Sequence, residues 1–344
     1  MKVLIITDGS GPKYHRLLLP LALMPGVEVI NTPVLTDKLC EGVDIVFCNR
    51  LLYYHGEDKS INLRQKHGFK VVMDFDDHWE LDPDHISYKQ YQQHNASEFM
   101  KFWLVEADAV TVTHERLALE AMQFNNNVHV LPNAIPYFGQ FTTPKVESDL
   151  TRLFWAGSNT HEHDIALLKE PVRQLKGLPI KMVMGGFSKN KIWYRMRNNY
   201  TNYGKLPNEL LEGLPVNEYY YLYSRCDISL IPLKEGRFNS HKSNLKVLEA
   251  ANIKANVIVS NVHPYKDLPY VNYVNDPGDW AKHVKWILGN RDEAAQQAKD
   301  LHQYCNERFN FERINKTRYE IFKSLCSPKT EPALSDSGTS TTHG

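Results

Sequence analysis

The sequence predicts an α/β protein made of two Rossmann-like domains, each built on a doubly wound parallel sheet. Two observations predict this fold class. Short runs of apolar and β-branched residues alternate with helical segments, which is typical of βαβ units. The alternation runs through both halves of a chain of 344 residues, whereas single hydrophobic cores stop growing at roughly 250–300 residues. The chain is therefore long enough for two such domains.

The first half of the chain contains the strands of the first predicted sheet. Most of them are nearly continuous apolar runs, as expected for parallel strands that are buried on both faces. The predicted strands are residues 3–6, 27–30, 43–48, 70–75, 109–112 and 128–131. The predicted helices between them include residues 14–23, 97–106 and 115–124.

The second half repeats this pattern. Its predicted strands are residues 153–156, 180–184, 228–231 and 257–260, with a short one near 273–274. Its predicted helices are residues 163–175, 243–253, 278–289 and 292–305, and a last helix at 311–325 ends the folded part. Between residues 132 and 149, Pro132, Pro136, Gly139 and Pro144 interrupt both periodicities, which predicts the boundary between the domains.

Composition and charge exclude several classes of protein. Lysine plus arginine equals aspartate plus glutamate, at 40 each, so no global basic field attracts nucleic acid or an anionic membrane. The 5 cysteines are scattered, which predicts neither a disulfide framework nor a zinc site and favours a reduced, cytoplasmic location. We expect no signal peptide and no transmembrane segment. The tail at 328–344 is polar and rich in small residues, which predicts disorder.

A glycine-containing loop with Gly9 and Gly11 follows the first strand and opens a helix. Glycine allows backbone N–H groups to approach a phosphate, and a helix N-terminus favours an anion. Arg16, one turn into the helix, could add charge-assisted bonds. The same loop could equally be a simple turn between strand and helix.

Three carboxylates and a histidine follow the strand at 70–75. The sequence there is Asp74-Phe75-Asp76-Asp77-His78. Carboxyl ends of parallel strands line the ligand crevice in open α/β sheets, and buried acids are costly unless they are paired or used. Asp77 could instead cap a helix, and Asp74 could brace a loop. Asp74 and Asp76 form an Asp-x-Asp pattern, which is too short to indicate a metal site, and we predict no metal.

Gly157 and Ser158 come directly after the first strand of the second domain. They occupy the position that Gly9 and Gly11 occupy in the first domain. They could bind a phosphate, or the segment could only cap the following helix.

The segment at 236–250 carries the strongest signal. Lys242, Lys246 and Glu249 are spaced four and three residues apart, which would place them on one helix face. Two cations at a helix start oppose the helix dipole, a cost that makes sense if a diphosphate docks there. An exposed, charged helix face is the alternative. Three polar neighbours are assigned to the same binding site: Asn239, Ser243 and Asn244.

Together these segments resemble the group-1, family 4-like glycosyltransferases of the GT-B fold. The resemblance rests on the glycine loop with residues 14–20, on residues 73–79, and on residues 242–249 followed by the strand at 257–260. The segment Leu-Pro-Asn-Ala-Ile at 131–135 is also similar to the exit from the first domain in that family. The resemblance extends over roughly residues 1–325, and it lies in the order and pattern of the motifs rather than in close sequence identity.

The resemblance implies two Rossmann-like domains that face a cleft. The N-terminal domain (residues 1–140, completed by the last helix at about 308–325) would hold the acceptor, and the C-terminal domain (150–307) a UDP- or GDP-sugar donor. It implies transfer with retention of anomeric configuration, no cofactor and no obligatory metal. Glu249 matches the glutamate that binds ribose in that family. Lys242 and Lys246 match the cations at the diphosphate, and His78 matches the histidine at the donor sugar. Our predicted catalytic residues are Asp77, His78, Lys242 and Lys246.

One departure from the family pattern bears on function, and two alternatives stay open. The family often has an acidic residue eight positions before the ribose-binding glutamate, where this chain has His241. A non-catalytic relative that binds nucleotide-sugars is therefore the first alternative. The acceptor is unknown (a glycan, a lipid-linked glycan or a small molecule), and the second alternative is a modified base in DNA. An epimerase-like enzyme is disfavoured because Tyr14 stands where GxGxxG needs its third glycine.

Overall fold

The computed structural model describes residues 1–7, 11–50 and 57–327. The predicted phosphate-binding Gly9 and the predicted disordered tail at 328–344 lie outside the described residues. We refer to the chain before Thr151 as the N-terminal part and to the rest as the C-terminal part.

The structure contains two parallel six-stranded sheets, which confirms the predicted fold class. The N-terminal sheet has the order β2-β1-β3-β4-β5-β6, and its strands are β1 (Lys2–Ile6), β2 (Glu28–Thr32), β3 (Ile45–Asn49), β4 (Lys70–Phe75), β5 (Ala109–Val112) and β6 (Val128–Val130). The C-terminal sheet has the order β12-β11-β10-β7-β8-β9, and its strands are β7 (Thr151–Ala156), β8 (Ile180–Phe187), β9 (Asn208–Glu212), β10 (Ile228–Ile231), β11 (Asn256–Ser260) and β12 (Asn272–Val274).

Helices connect the strands in both parts. In the N-terminal part they are α1 (Gly11–Lys13), α2 (Leu19–Ala22), α3 (Glu57–His67), α4 (Tyr88–Gln93), α5 (Ala96–Glu106) and α6 (Glu115–Ala121), and a π-helical stretch, Tyr14–Leu18, joins the first two. In the C-terminal part they are α7 (Glu162–Ile165), α8 (Lys191–Tyr200), α9 (Leu245–Asn252), α10 (Asp279–Gly289), α11 (Arg291–Arg308) and α12 (Phe311–Cys326).

The strand order reverses once in each sheet. In the N-terminal sheet the reversal lies between β1 and β3, and in the C-terminal sheet it lies between β7 and β10. Ligand crevices in doubly wound sheets form outside the carboxyl ends of the strands at such a switch point. Gly11 comes soon after β1, and Gly157 directly follows β7. The topology therefore directs Gly11 and Gly157 toward crevices.

The last helix, α12, packs against the N-terminal sheet. The ring of Phe322 in α12 meets that of Phe47 in β3, with ring centroids 5.1 Å apart. The side-chain amide of Asn315 donates to the carbonyl oxygen of Pro20 at 2.8 Å. The helix starts at Asn310, whose side chain accepts from the N–H of Arg313. The chain thus crosses to the C-terminal sheet after β6 and returns at α12, while the exact domain limits stay a prediction.

Several elements differ from the sequence-based expectation, among them one helix that is broken and one that was missed. The helix expected at 163–175 is broken into α7 and two 3₁₀ turns, Ala166–Leu168 and Pro171–Leu175. Pro171 explains the break, because proline has no N–H and its ring clashes with the preceding turn. The sequence analysis also missed α8, where Asn190 accepts from two backbone N–H groups and starts the helix.

Candidate functional site

A cavity of about 620 Å³ lies between the N-terminal and C-terminal parts. This volume is within the usual range for small-molecule sites, roughly 300–1,000 Å³. The predicted site residues that line it are Gly11, Asp77, Gly157, Ser158, Lys242, Ser243, Lys246 and Glu249. Residues from four separate segments therefore meet at one cleft.

Lys246 lies at the base of this cavity, in the first turn of α9. Its ammonium group donates to the carbonyl oxygen of Ala156 at 2.6 Å and lies 5.6 Å from the ring centroid of Trp155. A Cβ atom on Gly157 would come within 3.0 Å of the same ammonium nitrogen and 2.9 Å of the Trp155 ring. Burial lowers the pKa of Lys246, although the charge of Glu249 acts in the opposite direction. Glycine at 157 thus makes room for the lysine.

Glu249 lies one turn further along α9 and is buried. The hydroxyl of Tyr223 donates to its Oε2 atom at 2.6 Å. Burial raises the pKa of Glu249, and the positive charge of Lys246 partly offsets this effect. Because one carboxylate oxygen is held by Tyr223, the other is left to accept hydrogen bonds from a ligand in the cavity.

Lys242 reaches the cavity from outside the helix. Its backbone is extended, with φ −70° and ψ 167°, and α9 begins only at Leu245. The expectation that Lys242 shares a helix face with Lys246 and Glu249 is therefore wrong. The Lys242 ammonium lies 4.7 Å from the ring centroid of Phe238. A 3₁₀ turn at Asn239–His241 and the following extended residue bring this side chain to the same cleft.

Asp77 faces Lys242 across the cleft, with 3.7 Å between the carboxylate and ammonium groups. Arg50 lies 3.8 Å from the same carboxylate. Burial alone would raise the pKa of Asp77, but the charges of Lys242 and Arg50 outweigh it and the pKa is lowered. Asp77 is therefore ionised at neutral pH.

Asp76 also lines the cavity, and the sequence analysis gave it no individual role. Its carboxylate accepts from the side-chain amide of Asn49 at 3.1 Å. Burial raises the pKa of Asp76, and the neighbouring charge of Asp77 raises it further. The two adjacent carboxylates thus have pKa values that are shifted in opposite directions.

Arg16 does not line this cavity. Its guanidinium is 1% exposed and forms an ion pair with Asp74 at 2.6 Å. It also donates to the carbonyl oxygen of Leu131 at 2.5 Å. Asp74 in turn accepts from Thr111 at 2.6 Å and from Asn49 at 3.0 Å. Arg16 therefore connects the first helical segment to β4, and its role in donor binding stays a prediction.

His78 and His241 form a buried contact between the two parts, with ring centroids 4.8 Å apart. The backbone N–H of Glu80 donates to Nδ1 of His78 at 2.9 Å, so the neutral ring carries its proton on Nε2. Nδ1 of His241 lies 2.8 Å from the carbonyl oxygen of Arg237 and donates to it, which leaves a lone pair on Nε2. Neither ring lines the cavity, and a contact between His78 and a donor sugar stays a prediction.

These two histidines and Glu120 are the group of possible metal ligands found within the described ranges of the chain. Their ligand atoms lie within 4.8 Å of one another. The protonated Nε2 of His78 is a hydrogen-bond donor and has no lone pair for a cation. The donor set therefore does not fit a metal in this arrangement, and the absence of an obligatory metal stays a prediction.

Two other predicted residues lie just outside the cavity wall. Asn239 donates to Asp164 at 3.2 Å and to the carbonyl oxygen of Lys234 at 2.8 Å, so it braces the loop that leads to Lys242. Asn244 occupies the N-cap position of α9 without a side-chain capping bond. Ser243, between them and the helix, does line the cavity.

Several residues that line the cavity were not assigned to the site by the sequence analysis. The side-chain amide of Asn133 donates to the hydroxyl of Ser243 at 2.7 Å and so connects the two parts directly at the cavity. His161 lies on the wall with Nδ1 2.7 Å from a carboxylate oxygen of Asp164, and burial together with Lys246 lowers its pKa to about 4. Asn133 belongs to the segment 131–135, which is part of the family resemblance. The sequence therefore held a signal for placing Asn133 at the site.

Opposite charges line the outer edge of the cleft. Arg237 lies 2.8 Å from Glu80, and Lys234 pairs with Asp84. Asp82 accepts from the backbone N–H of Phe238 at 3.1 Å. The acids all belong to the N-terminal part, and their partners to the C-terminal part. These contacts hold the loop after β4 against the loop after β10.

Solved structures resemble this fold. HepE from Anabaena, in complex with UDP and glucose, is 12% identical with a TM-score of 0.66, and the match covers 94% of this chain and 99% of that chain. A UDP-forming α,α-trehalose-phosphate synthase from Burkholderia xenovorans is 12% identical with a TM-score of 0.61, over 85% and 76% of the two chains. TarM from S. aureus is 13% identical with a TM-score of 0.59, over 83% of this chain and 56% of TarM.

No protein-family model matches the chain, and no curated protein matches it in sequence. The structural matches nevertheless show the fold, because two parallel sheets that face a cleft are the architecture known as GT-B. The chain has the GT-B fold. Among the described residues, no helix is both long and apolar enough to cross a membrane.

Proposed function

We propose that this protein is a glycosyltransferase that moves a sugar from a nucleotide-diphosphate donor, a UDP- or GDP-sugar, to an acceptor hydroxyl. The observation that carries the proposal is the convergence of Lys242, Lys246, Gly157 and Glu249 on one cavity between two Rossmann-like parts. HepE and the trehalose-phosphate synthase, whose folds resemble this one, are described with UDP or as UDP-forming.

The cavity offers complementary groups for the parts of such a donor. Lys246 uses one N–H on Ala156, so the other two are free for phosphate oxygens, and Lys242 adds a second cation. As the bond from sugar to diphosphate breaks, negative charge grows on the leaving phosphate, and preorganised cations stabilise that state more than the ground state. The free oxygen of Glu249 would accept from ribose hydroxyls. We further propose that configuration is retained.

Two lysines at the diphosphate would replace the charge that a divalent cation supplies elsewhere, so we propose that no metal is obligatory. The acceptor class stays open: a glycan, a lipid-linked glycan or a small molecule. All 5 cysteines are free, and four of them are buried. Free thiols are typical of reducing compartments, which supports a cytoplasmic location.

A screen for nucleotide release tests the proposal. The purified protein is incubated with UDP-, GDP-, ADP- and CMP-sugars, with and without EDTA, and free nucleotide is measured. Release from a UDP- or GDP-sugar that persists in EDTA is the expected result. Release that disappears in EDTA and returns with manganese would reject the metal-free mechanism. Absence of both release and binding for every donor would reject the function itself.

One observation favours a second candidate function. His241 stands where the family often has an acidic residue. Its ring packs against His78 and does not line the cavity. A protein that binds nucleotide-sugars without turnover would keep the cleft and tolerate this change. Tight donor binding by calorimetry without any nucleotide release would identify that function.

A further inference from the structure

His161 lies on the wall of the cavity, beside a lysine of the proposed diphosphate site. It ends the 3₁₀ turn Asn159–His161, which follows β7. The centroid of its ring is 6.1 Å from that of Trp155. The ammonium group of Lys246 is 5.6 Å from a ring centroid of the same tryptophan. His161 and Lys246 therefore lie next to one indole group at the base of the cavity.

A fixed carboxylate holds one nitrogen of the His161 ring. Nδ1 lies 2.7 Å from Oδ2 of Asp164, which is 4% exposed. The other oxygen of Asp164 accepts from the backbone N–H of Lys234 at 2.8 Å and from the amide of Asn239 at 3.2 Å. In the neutral ring Nδ1 therefore carries the proton and Nε2 the lone pair. Among the described residues, none forms a hydrogen bond with Nε2, so this nitrogen is left for a ligand in the cavity.

We propose that His161 is a third phosphate-binding group of the cleft, and that it gains a proton when the diphosphate of the donor binds. This inference rests on the proposed function. A lone pair on Nε2 finds no hydrogen to accept from an ionised phosphate, whereas a protonated Nε2 donates a charge-assisted hydrogen bond to it. The proton comes from solvent and returns to solvent when the cleft empties, so no other reactant is needed.

The charges around the ring explain why the proton arrives only with the donor. Burial and the charge of Lys246 lower the pKa of His161 to about 4, although Asp164 acts in the opposite direction. A diphosphate would offset the positive charge of the lysines and add negative charge beside the ring, which raises this pKa. The charged groups on the elements packed around the ring are Asp77, Glu162, Asp164, Arg195, Lys242 and Lys246.

The sign of the pH dependence follows from these two states. The ring is neutral in the free protein above about pH 4 and charged in the complex below its raised pKa. Between these two values donor binding takes up a proton, so the contribution of His161 to donor affinity grows as pH falls. This contribution is lost as pH rises through the pKa of the complex.

Isothermal titration calorimetry counts the protons that accompany binding. The probe is UDP-glucose, or the UDP- or GDP-sugar from which the release screen detects nucleotide, at about pH 6 and about pH 8 in buffers of different ionisation enthalpy. The wild-type protein should take up protons at the lower pH. H161Q should take up fewer and bind about 10–100-fold more weakly there, the usual range for a hydrogen bond to a charged group, with a smaller loss at the higher pH. H163Q, at an exposed neighbour, is the matched control and should behave as wild type.

The comparison with H161Q is needed because the rings of His78 and His241 also titrate. A purely structural role for His161 would lower the melting temperature and weaken binding equally at both pH values. That result, or equal proton uptake by H161Q and wild type, would overturn the assignment.

A second variant covers a folding failure of H161Q. H161K has a fixed positive charge, so it should bind the donor with less proton uptake than wild type and with a weaker pH dependence. Proton uptake in H161K equal to that of wild type would also overturn the assignment. Failure of the wild-type protein to bind or turn over any donor would instead reject the proposed function, so the two outcomes are distinguishable.

Discussion

At the scale of single residues, the missing side chain at position 157 determines where the Lys246 ammonium can lie. A methyl group there would come within 3.0 Å of that nitrogen and 2.9 Å of the rigid Trp155 ring. We expect Gly157→Ala to displace the lysine and weaken donor binding about tenfold, equivalent to losing roughly 1.4 kcal/mol. Isothermal titration with donor measures this. Gly278→Ala is the control, since no atom lies within 4 Å of its added Cβ, and equal affinities of the two variants would contradict the argument.

The two lysines and Glu249 should differ in the kinetic parameter that they affect. Lys242→Ala and Lys246→Ala should each lower kcat by about 10²-fold, because charge on the leaving phosphate grows in the transition state. Glu249→Ala should mainly raise the donor KM, because a ribose contact is equally strong in ground and transition states. Steady-state kinetics with a demonstrated donor separates the two effects. Wild-type turnover in both lysine variants would place the diphosphate elsewhere.

At the scale of elements, the Arg16–Asp74 ion pair holds the first helical segment against the middle of the N-terminal sheet. Both side chains are at most 1% exposed. Asp74→Asn would leave the Arg16 charge without its counterion, and breaking a buried pair on one side typically costs 3–5 kcal/mol, so we expect about that loss in the free energy of unfolding. Urea denaturation measures it. Asp84→Asn, at an exposed pair, should change stability by less than about 1 kcal/mol.

The strands could be predicted from the sequence because buried parallel strands are apolar on both faces. The strands at 70–75, 109–112 and 228–231 were predicted with their observed limits. The edge strand β9 was missed because its residues are half-exposed and only two of them, Leu210 and Leu211, are aliphatic. The helix at 163–175 was predicted as continuous because its apolar spacing outweighed Pro171, whereas the backbone constraint of proline prevailed in the structure.

The candidate site was predictable to the extent that its residues lie in local motifs. Gly157 follows strand β7, and Lys246 and Glu249 lie on helix α9, whose start a parallel sheet directs to the same edge. Contacts between the two parts were not predictable, because they depend on how the sheets face one another. The Asn133–Ser243 bond and the Lys242–Asp77 pair belong to this class. The Arg16–Asp74 pair was not predictable either, because the two residues are 58 positions apart in the sequence.

At the scale of the whole molecule, histidines accumulate where the two parts touch. Burial lowers the pKa of His78 and of His114 to about 4, and it also lowers that of His241. The contact is thus stable with neutral rings, above the ordinary histidine pKa near 6.5. Its stability falls as pH drops below 6.5 and continues to fall toward about 4. The other titratable groups around these rings are Glu80, Glu115, Arg116, Glu120, Arg237 and His263.

This titration should open the cleft at acidic pH. We expect the radius of gyration from small-angle X-ray scattering to increase between pH 7.5 and pH 5, while far-ultraviolet circular dichroism shows that the secondary structure persists. His241→Gln should reduce the change, because one ring no longer charges, and His163→Gln, at an exposed position, should not. A radius that is independent of pH would show that the histidines do not control closure.

The segregation of acids and bases along the cleft edge has a consequence for turnover. Exposed pairs such as Lys234–Asp84 and Arg237–Glu80 are worth at most about 1 kcal/mol each, and salt screens them over roughly 8–10 Å. Ion pairs this weak break easily, so we expect ionic strength to change how long the two parts stay in contact. In the proposed reaction, a bound diphosphate would add attraction between the two parts only while it is present. Edge contacts of this strength would then let the two parts separate for the product to leave.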